Sequence, residues 1–240
     1  MSRSRSIILL SGGLDSTVAF YQALDEVKVA MAISFDYGQR HLVELEYAYE
    51  TAHRENVPHE IIDMTSIGRL LQGSALSDVH VEVPEGHYAE ESMKATIVPN
   101  RNTIMLSMAV GAAIGIGARQ VWAAMHAGDH PIYPDCRPEF VNKLNELIPI
   151  ATESKIQIVT PFIDIAKQEI IRIGFRLGVN FSDTWSCYKG GDLHCGRCGT
   201  CVERAEAFHL AGVRDPTHYL DKEYWKRATF DQQRKENGHG

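Results

Sequence analysis

The chain has no apolar run that approaches the length of a transmembrane helix, which is about 20 residues. Its first apolar stretch, residues 7–10, ends at paired glycines, and this is too short for the core of a secretory signal. Basic residues are also few, since 24 lysines and arginines stand against 31 acidic residues and give a net charge of -7. A large nucleic-acid partner needs basic surface. We therefore expect a cytoplasmic protein with no membrane partner and no nucleic-acid partner.

Internal repeats and low-complexity linkers are also missing. Of the 240 residues, 44% are hydrophobic and 23% are charged, which is typical of a globular domain. Candidate strands and helices alternate along the chain, and this predicts an α/β fold with a doubly wound parallel sheet. We expect residues 1–182 to form one α/β domain. Residues 183–240 are expected to form a cysteine-bearing segment and a polar tail that pack on the same domain.

Residues 11–16, Ser-Gly-Gly-Leu-Asp-Ser, lie between an apolar run and a stretch of helical composition. The glycines allow a sharp turn and a close approach of the backbone to a ligand, and the helix N-terminus behind them favours an anion. The pattern is neither G-x-x-x-x-G-K-[ST] nor G-x-G-x-x-G. It resembles the PP-loop of the ATP pyrophosphatases, which cleave ATP between the α and β phosphates and usually adenylate a substrate oxygen. The alternative is a tight turn capped by Asp15 or Ser16.

Four further strands are predicted, and polar residues follow two of them closely. Residues 36–41 come after the second strand, and residues 126–129 come after the fourth. Ligands of open α/β sheets bind beyond the carboxyl ends of the strands, so these polar residues are candidates for a binding site. The four predicted strands are residues 29–35, 58–64, 121–125 and 156–162.

One long segment, residues 67–95, shows no periodicity and is rich in glycine, serine and proline. Such a stretch inside a domain is usually a functional lid or disordered. We favour a lid or substrate-contacting loop, because the polar motif 96–102 follows directly.

A helix is predicted after the fourth strand, with four apolar residues directed inward. These four residues are Phe140, Leu144, Leu147 and Ala151.

Four of the five cysteines are clustered with the spacing C-x7-C-x2-C-x2-C. In a cytosolic chain this clustering favours a metal site over disulfides. Four thiolates fill a tetrahedral zinc site, so the zinc would be structural. An iron–sulfur cluster and a redox pair are the alternatives. The four candidate ligands are Cys187, Cys195, Cys198 and Cys201.

The fifth cysteine, Cys136, stands alone in a predicted strand-to-helix loop. It is either a nucleophile or substrate contact, or a small buried apolar residue. The neighbouring Arg137 would lower the pKa of its thiol. No base for covalent catalysis can be identified from the sequence.

Several motifs occur in one order along the chain, and together they closely resemble the 7-cyano-7-deazaguanine synthases of the queuosine pathway. The resemblance covers nearly the whole chain and implies a Rossmann-like, adenine nucleotide alpha hydrolase-like fold. It also implies a homodimer and an ATP-dependent C–N ligation that converts 7-carboxy-7-deazaguanine and ammonia into the nitrile. Magnesium would accompany ATP as its counter-ion. The motifs are residues 11–16, 36–41, 98–102 and 133–137, with the four clustered cysteines.

Roles in ATP binding and catalysis are hypotheses that follow from this chemistry. Arg40, Arg101 and Lys167 would neutralise the charge that develops at the α-phosphate; the alternative for each is an ordinary surface charge. The residues assigned to catalysis are Asp15, Ser16, Arg101 and Lys167. The residues assigned to ATP are Leu10, Ser11, Gly12, Gly13, Leu14, Asp15, Ser16, Thr17, Gly38 and Arg101.

Recognition of the substrate is assigned to polar residues beyond the second and fourth strands. A carboxylate there would read the guanine-like N1–H and amine, and Arg137 would pair with the substrate carboxylate. His41 is a candidate acid or base, although an ordinary histidine at a helix start is equally consistent with the sequence. Phe35, Phe140 or Trp185 would pack on the flat base or simply belong to the core. The residues assigned to substrate are His41, His126, Asp129, Asp135 and Arg137.

Two other functions are consistent with parts of the sequence. A PP-loop tRNA sulfurtransferase or lysidine-type ligase would need a basic face, which the charge balance disfavours. A zinc-knuckle adaptor on a nucleotide-sensing domain would bind ATP without turnover. A glutamine-fed amidotransferase is disfavoured because no residues remain for a glutaminase domain, so free ammonium is the expected nitrogen source.

Overall fold

A computed structural model describes residues 3–89 and 91–237 of the chain. Within them, five parallel strands form one sheet in the order β3-β2-β1-β4-β5, with helices on both faces. The predicted doubly wound α/β fold is therefore confirmed. The strands are β1 (Arg5–Leu9), β2 (Lys28–Asp36), β3 (His59–Asp63), β4 (Gln120–Trp122) and β5 (Gln157–Val159).

Strand β1 lies at the centre of the sheet, where Ile8 pairs with Ala32 of β2 and with Trp122 of β4. The chain runs outward from β1 to β3 and then returns to place β4 on the other side of β1. The loops that follow β1 and β4 therefore diverge and leave a crevice at the carboxyl ends of these strands.

The core lies on both faces of the sheet because successive side chains of a strand point in opposite directions. Ile7 and Ile8 are both fully buried. Ile7 packs with residues of the helices α4 and α5, whereas Ile8 packs with residues of α1 and α6. The helices are α1 (Leu14–Glu26), α2 (Glu44–Arg54), α3 (Thr65–Gly68), α4 (Arg101–Gly115), α5 (Pro138–Thr152), α6 (Lys167–Arg176), α7 (Gly199–Ala211) and α8 (Tyr224–Asn237).

Helix α5 forms where it was predicted, but only Phe140 and Leu144 of the four predicted inward residues pack in the core. Leu144 is buried, whereas Leu147 is 53% exposed. The apolar residues of this helix cover more than one face, and the stripe that meets the sheet is displaced by one residue. Its buried members are Val141, Leu144 and Ile148.

The segment 67–95 is packed along much of its length, although it forms little regular structure. Tyr88 and Met93 are buried in the core, and the Gly86 N–H donates to the carbonyl oxygen of Arg197 at 3.1 Å. The segment therefore covers the cysteine-bearing region. The C-terminal polar tail forms α8, which packs against α7.

Among the described residues, none of the helices combines the length and the apolar character needed to cross a membrane.

Candidate active site

The turn between β1 and α1 is built around Gly12 and Gly13. Gly12 has a φ of +78°, a conformation that L side chains rarely adopt. A Cβ at this position would lie 2.0 Å from the carbonyl oxygen of Glu44 in α2. Gly13 is the N-cap of α1, so the turn leads directly into the helix N-terminus.

Two serine hydroxyls and one backbone contact hold this turn in place. Ser11 Oγ and Ser16 Oγ lie 3.0 Å apart, and Ser16 Oγ donates to the carbonyl oxygen of Gly13 at 3.0 Å. The Trp185 N–H donates to the carbonyl oxygen of Gly12 at 2.9 Å. The cysteine-bearing segment therefore contacts the turn directly, and the turn presents a helix N-terminus and two hydroxyl groups to an anion.

A cavity of about 250 Å³ lies beside the turn, at the carboxyl edge of the sheet. The residues after β1, β2 and β4, the start of α6 and the cysteine-bearing segment all contribute to its wall. A cavity at this edge is the expected place for a ligand in an open α/β sheet. The predicted site residues in the wall are Leu10, Ser11, Gly13, Leu14, Asp15, Ser16, His41, Arg101, His126, Asp129 and Lys167.

One side of the cavity carries a cluster of buried charges around Lys167, the first residue of α6. Its Nζ lies 3.2 Å from Asp15 Oδ2 and 2.5 Å from Glu203 Oε2. Burial alone would lower the pKa of Lys167, but the carboxylates of Asp15 and Glu203 outweigh burial and raise it. Lys167 is therefore an ammonium ion at neutral pH, held beside the N-terminus of α1.

The imidazole of His126 completes this cluster and is almost fully buried. Its Nδ1 accepts a hydrogen bond from the Gly128 N–H at 3.0 Å, so the proton of the neutral ring is on Nε2. That nitrogen lies 3.5 Å from Asp129 Oδ1 and 3.8 Å from Glu203 Oε1. The arrangement presents one N–H group and several carboxylates to the cavity.

Another part of the cavity wall contains His41, Glu44 and Arg101. Burial, reinforced by Arg101, lowers the pKa of His41 to about 3, so this histidine is neutral at pH 7. Burial raises the pKa of Glu44 to about 8, although Gln39 donates a hydrogen bond to it and Arg101 lies nearby. Arg101 donates to the Tyr37 hydroxyl at 3.2 Å. This wall therefore holds a single permanent positive charge.

Several predicted residues lie outside the cavity wall because they have other partners. The Asp135 carboxylate accepts the Asn102 N–H at 3.0 Å, and the exposed Arg137 donates to the carbonyl oxygen of His130 at 2.9 Å. Arg40 donates to the carbonyl oxygens of Asp78 and Val81 at 2.6 and 2.7 Å. The structure therefore does not bring Asp135, Arg137 or Arg40 to the cavity.

Three residues assigned to ATP also contribute no surface to the wall. Gly12 packs on the backbone of α2, and Thr17 is buried inside α1. Gly38 is exposed and donates its N–H to Asp36 Oδ1 at 2.9 Å. These positions support the turn and the loop after β2 rather than the cavity itself.

The lone cysteine, Cys136, lies in the cavity wall and accepts a contact from Asn102 Nδ2 at 3.2 Å. Burial raises the pKa of its thiol above the ordinary range, and the nearby carboxylates act in the same direction. The expected lowering by Arg137 was therefore wrong, because that guanidinium points to His130. The thiol is neutral at physiological pH, which is a poor state for a nucleophile.

Sequence reasoning missed several residues of the wall. Tyr88 and Tyr188 both line the cavity, and burial raises the pKa of both well above the ordinary value. Both hydroxyls are therefore neutral. Glu203, two residues after the last clustered cysteine, contacts the wall residue Lys167. It was also missed, because an acidic residue inside a helix normally indicates a solvated face.

The four clustered cysteines converge as their spacing predicts. Their Sγ atoms all lie within 4.8 Å of one another, and the Sγ atoms of Cys195 and Cys201 are 3.9 Å apart. The N–H groups of Arg197 and Cys198 donate to Cys195 Sγ at 3.3 and 3.2 Å. Sulfurs of a tetrahedral zinc site are separated by about 3.8 Å. The cluster could therefore hold a metal ion.

The sequence is similar to one protein-family model and to several curated relatives over most of its length. The family model "Queuosine biosynthesis protein QueC" matches residues 5–212. A 7-cyano-7-deazaguanine synthase of Rhizobium etli is 53% identical over 226 residues, which are 93% of this chain and 95% of the relative. The synthase of Paracoccus denitrificans is 50% identical over 232 residues, which are 96% of this chain and 99% of the relative.

The structural comparison supports the fold. NMN synthetase from Francisella tularensis superposes with a TM-score of 0.51 at 14% identity, over 97% of this chain and 85% of that chain. At this identity the likeness concerns the fold alone. The family match covers most of the chain, and the relatives are about half identical over nearly their whole length. The chain therefore belongs to the family of the queuosine biosynthesis protein QueC.

Proposed function

We propose that the protein is an ATP-dependent C–N ligase that converts 7-carboxy-7-deazaguanine and ammonia into 7-cyano-7-deazaguanine. The observation that carries this proposal is the contact between Asp15 and Lys167, which places an ammonium ion beside the N-terminus of α1 inside the cavity. Membership of the family supports the same substrate and disfavours a tRNA-modifying activity. Residues 1–182 carry the ATP chemistry in this proposal, and residues 183–240 carry the metal segment.

The triphosphate of ATP binds at the turn between β1 and α1. The N-terminal N–H groups of α1 and the hydroxyls of Ser11 and Ser16 face the β and γ phosphates, with Gly12 and Gly13 allowing the close approach. Asp15 Oδ1 is buried and has no hydrogen-bond partner among the described residues. This free carboxylate oxygen fits the magnesium ion that accompanies ATP, and the ion would offset the charge of the phosphates.

The first step activates the substrate carboxylate, which is otherwise a poor electrophile. A carboxylate oxygen attacks the α-phosphorus, the bond from this phosphorus to the bridging oxygen breaks, and pyrophosphate leaves. The product is an acyl adenylate. Lys167 and Arg101 stabilise the negative charge that develops on the phosphate oxygens, because both are positively charged side chains in the cavity wall.

Ammonia then attacks the acyl carbon, and AMP leaves to give an amide. A second activation on the amide oxygen, followed by loss of this oxygen with the nucleotide phosphate and of two protons, gives the nitrile. The carboxylate of Asp129, next to His126 Nε2, lies where it can accept a proton that ammonia releases. A carboxylate in this cluster also provides acceptors for the N1–H and the amine of the deazaguanine.

The four-cysteine cluster is proposed to hold zinc as a structural ion. Four thiolate ligands leave no open position for water or substrate, so the ion has no place in the chemistry. It would fix the loop after Trp185 to the start of α7. Zinc binding of this kind contributes directly to folding.

A homodimer is part of the proposal. The helices α4 and α5 cover one face of the sheet but leave apolar side chains exposed, among them Ile114, Leu147 and Ile150. Burial of these side chains against a second copy would remove apolar area from water. Light scattering during size-exclusion chromatography measures the mass directly, and a monomer of 26.8 kDa at micromolar concentration would contradict the dimer.

Product analysis tests the proposed function. The purified chain is incubated with 7-carboxy-7-deazaguanine, ammonium and Mg-ATP, and the bases and nucleotides are separated by liquid chromatography with mass detection. We expect the amide and the nitrile to appear only when ATP and ammonium are both present. If the folded, metal-loaded protein forms neither compound, the proposal is wrong. The same chromatogram distinguishes AMP from ADP as the nucleotide product.

A further inference from the structure

Helix α7 begins inside the four-cysteine cluster and continues along the wall of the cavity. Cys198 is its N-cap and Cys201 lies in its first turn. Two residues later, the side chain of Glu203 contacts Lys167 and His126, which both lie in the cavity wall. Because the helix is fixed at its start by the cluster, the position of Glu203 is fixed by the same elements that hold the metal ligands.

Glu203 contacts the two elements that carry the buried charges. Its Oε2 lies 2.5 Å from Lys167 Nζ, and its Oε1 lies 3.8 Å from His126 Nε2. Its side chain is only 12% exposed. Gly128 also lies close to it, since a Cβ at that position would be only 3.1 Å from Oε1. The carboxylate therefore has little freedom to move away from Lys167.

We propose that Glu203 is a positioning residue, which holds the Lys167 ammonium beside the phosphate-binding turn and so couples the four-cysteine cluster to catalysis. The side chain of lysine has four rotatable bonds and would otherwise sample many positions. With Glu203 on one side and Asp15 on the other, the Nζ atom is restricted to the edge of the turn. Displacement of a charge-stabilising group by about 1 Å can cost on the order of 100-fold in rate.

This inference rests on the proposed function and its assignment of Lys167, and it is tested by steady-state kinetics of nitrile formation in the full, metal-loaded chain. For Glu203→Ala we expect kcat to fall at least tenfold at saturating substrates, with the KM for ATP changed by less than threefold. Metal content and Tm should match those of Glu206→Ala. Glu206 is the matched control, since it lies one turn later on α7 and pairs with His87 outside the cavity.

Two conservative variants separate a positioning role from a general effect of charge. In Glu203→Gln the amide oxygen still accepts a hydrogen bond from Lys167 at the same reach, so we expect kcat to recover to within about threefold of wild type. In Glu203→Asp the charge is kept, but the side chain ends about 1.5 Å short, so kcat should remain low. The comparison of Glu203→Gln with Glu203→Asp tests the proposed positioning role even if Glu203→Ala does not fold.

The inference would be overturned if Glu203→Ala had the kcat of wild type. It would also be overturned if Glu203→Asp were at least as active as Glu203→Gln. Either result leaves the proposed function intact as long as the wild-type chain produces the nitrile. A wild-type chain that forms neither amide nor nitrile overturns the proposed function itself. The two failures are therefore distinguishable in one set of assays.

Discussion

The carbonyl oxygen of Glu44 occupies the space in which any side chain at position 12 would have to stand. An ideal Cβ on Gly12 lies 2.0 Å from this oxygen and 2.9 Å from the Ala48 nitrogen, and both atoms belong to the backbone of α2. The turn that is proposed to bind the phosphates of ATP therefore packs directly against a second helix. This close packing is possible only with glycine, which also adopts the required φ of +78°.

Gly12→Ala is expected to destabilise the fold by at least about 2 kcal/mol, because the methyl group meets backbone atoms and the residue is held at positive φ. Urea unfolding measures the loss. Gly117→Ala is the control, since Gly117 also has positive φ but has open space around its Cβ position. If the two variants lose the same stability, the contact with α2 has no energetic importance.

Asp15→Ala is expected to abolish measurable turnover while the chain remains folded. The change removes the carboxylate next to Lys167 and the unpartnered oxygen assigned to magnesium, and the loss of one electrostatic group of this kind costs on the order of 100- to 1000-fold in kcat. Asp25→Ala changes an exposed carboxylate later in the same helix and should leave kcat unchanged. Turnover of Asp15→Ala within tenfold of wild type would refute the assignment.

Glu44→Gln is expected to change how stability depends on pH. Burial raises the pKa of Glu44 to about 8 from its ordinary value of 4.5, so between these two pH values the folded chain retains a proton that the unfolded chain has lost. Stability contributed by this group is complete below pH 4.5 and falls as pH rises toward 8. Glutamine does not titrate, so the variant does not lose this stability as the pH rises. The free energy of unfolding of the variant minus that of wild type should therefore increase by at least about 1 kcal/mol between pH 5 and pH 8. Urea unfolding across this range measures the difference, and a constant difference would contradict the expectation.

The central part of the site could be predicted because its signals are local. An apolar run, paired glycines and a helix N-terminus lie within a few residues of one another, and these residues alone predict the turn. The same is true of Cys195, Cys198 and Cys201, because spacings of two residues bring thiolates together whatever surrounds them. The doubly wound parallel sheet also followed from the alternation of strands and helices.

Other parts of the site depend on contacts between distant segments, which the sequence does not show. Tyr88 and Tyr188 reach the cavity from segments 100 residues apart, and neither lies in a periodic pattern. Asp135 follows the fourth strand as a ligand-binding residue would, yet it caps the N-terminus of α4. The local sequence around an acidic residue is the same whether it binds a ligand or caps a helix. Only the folded structure therefore distinguishes the two roles.

Replacement of a clustered cysteine is expected to reduce metal content before it affects chemistry. Cys198 is fully buried, and Cys198→Ser would leave three thiolates where four are needed for a closed zinc site. We expect less than one zinc ion per chain by mass spectrometry and a Tm lower by several degrees, because metal binding contributes to folding. Cys136→Ser is the control, since this thiol lies outside the cluster and its replacement should leave the zinc content unchanged. If Cys198→Ser keeps one zinc ion per chain, Cys198 is not a ligand, and an absorption band of an iron–sulfur cluster in the wild-type chain would contradict zinc itself.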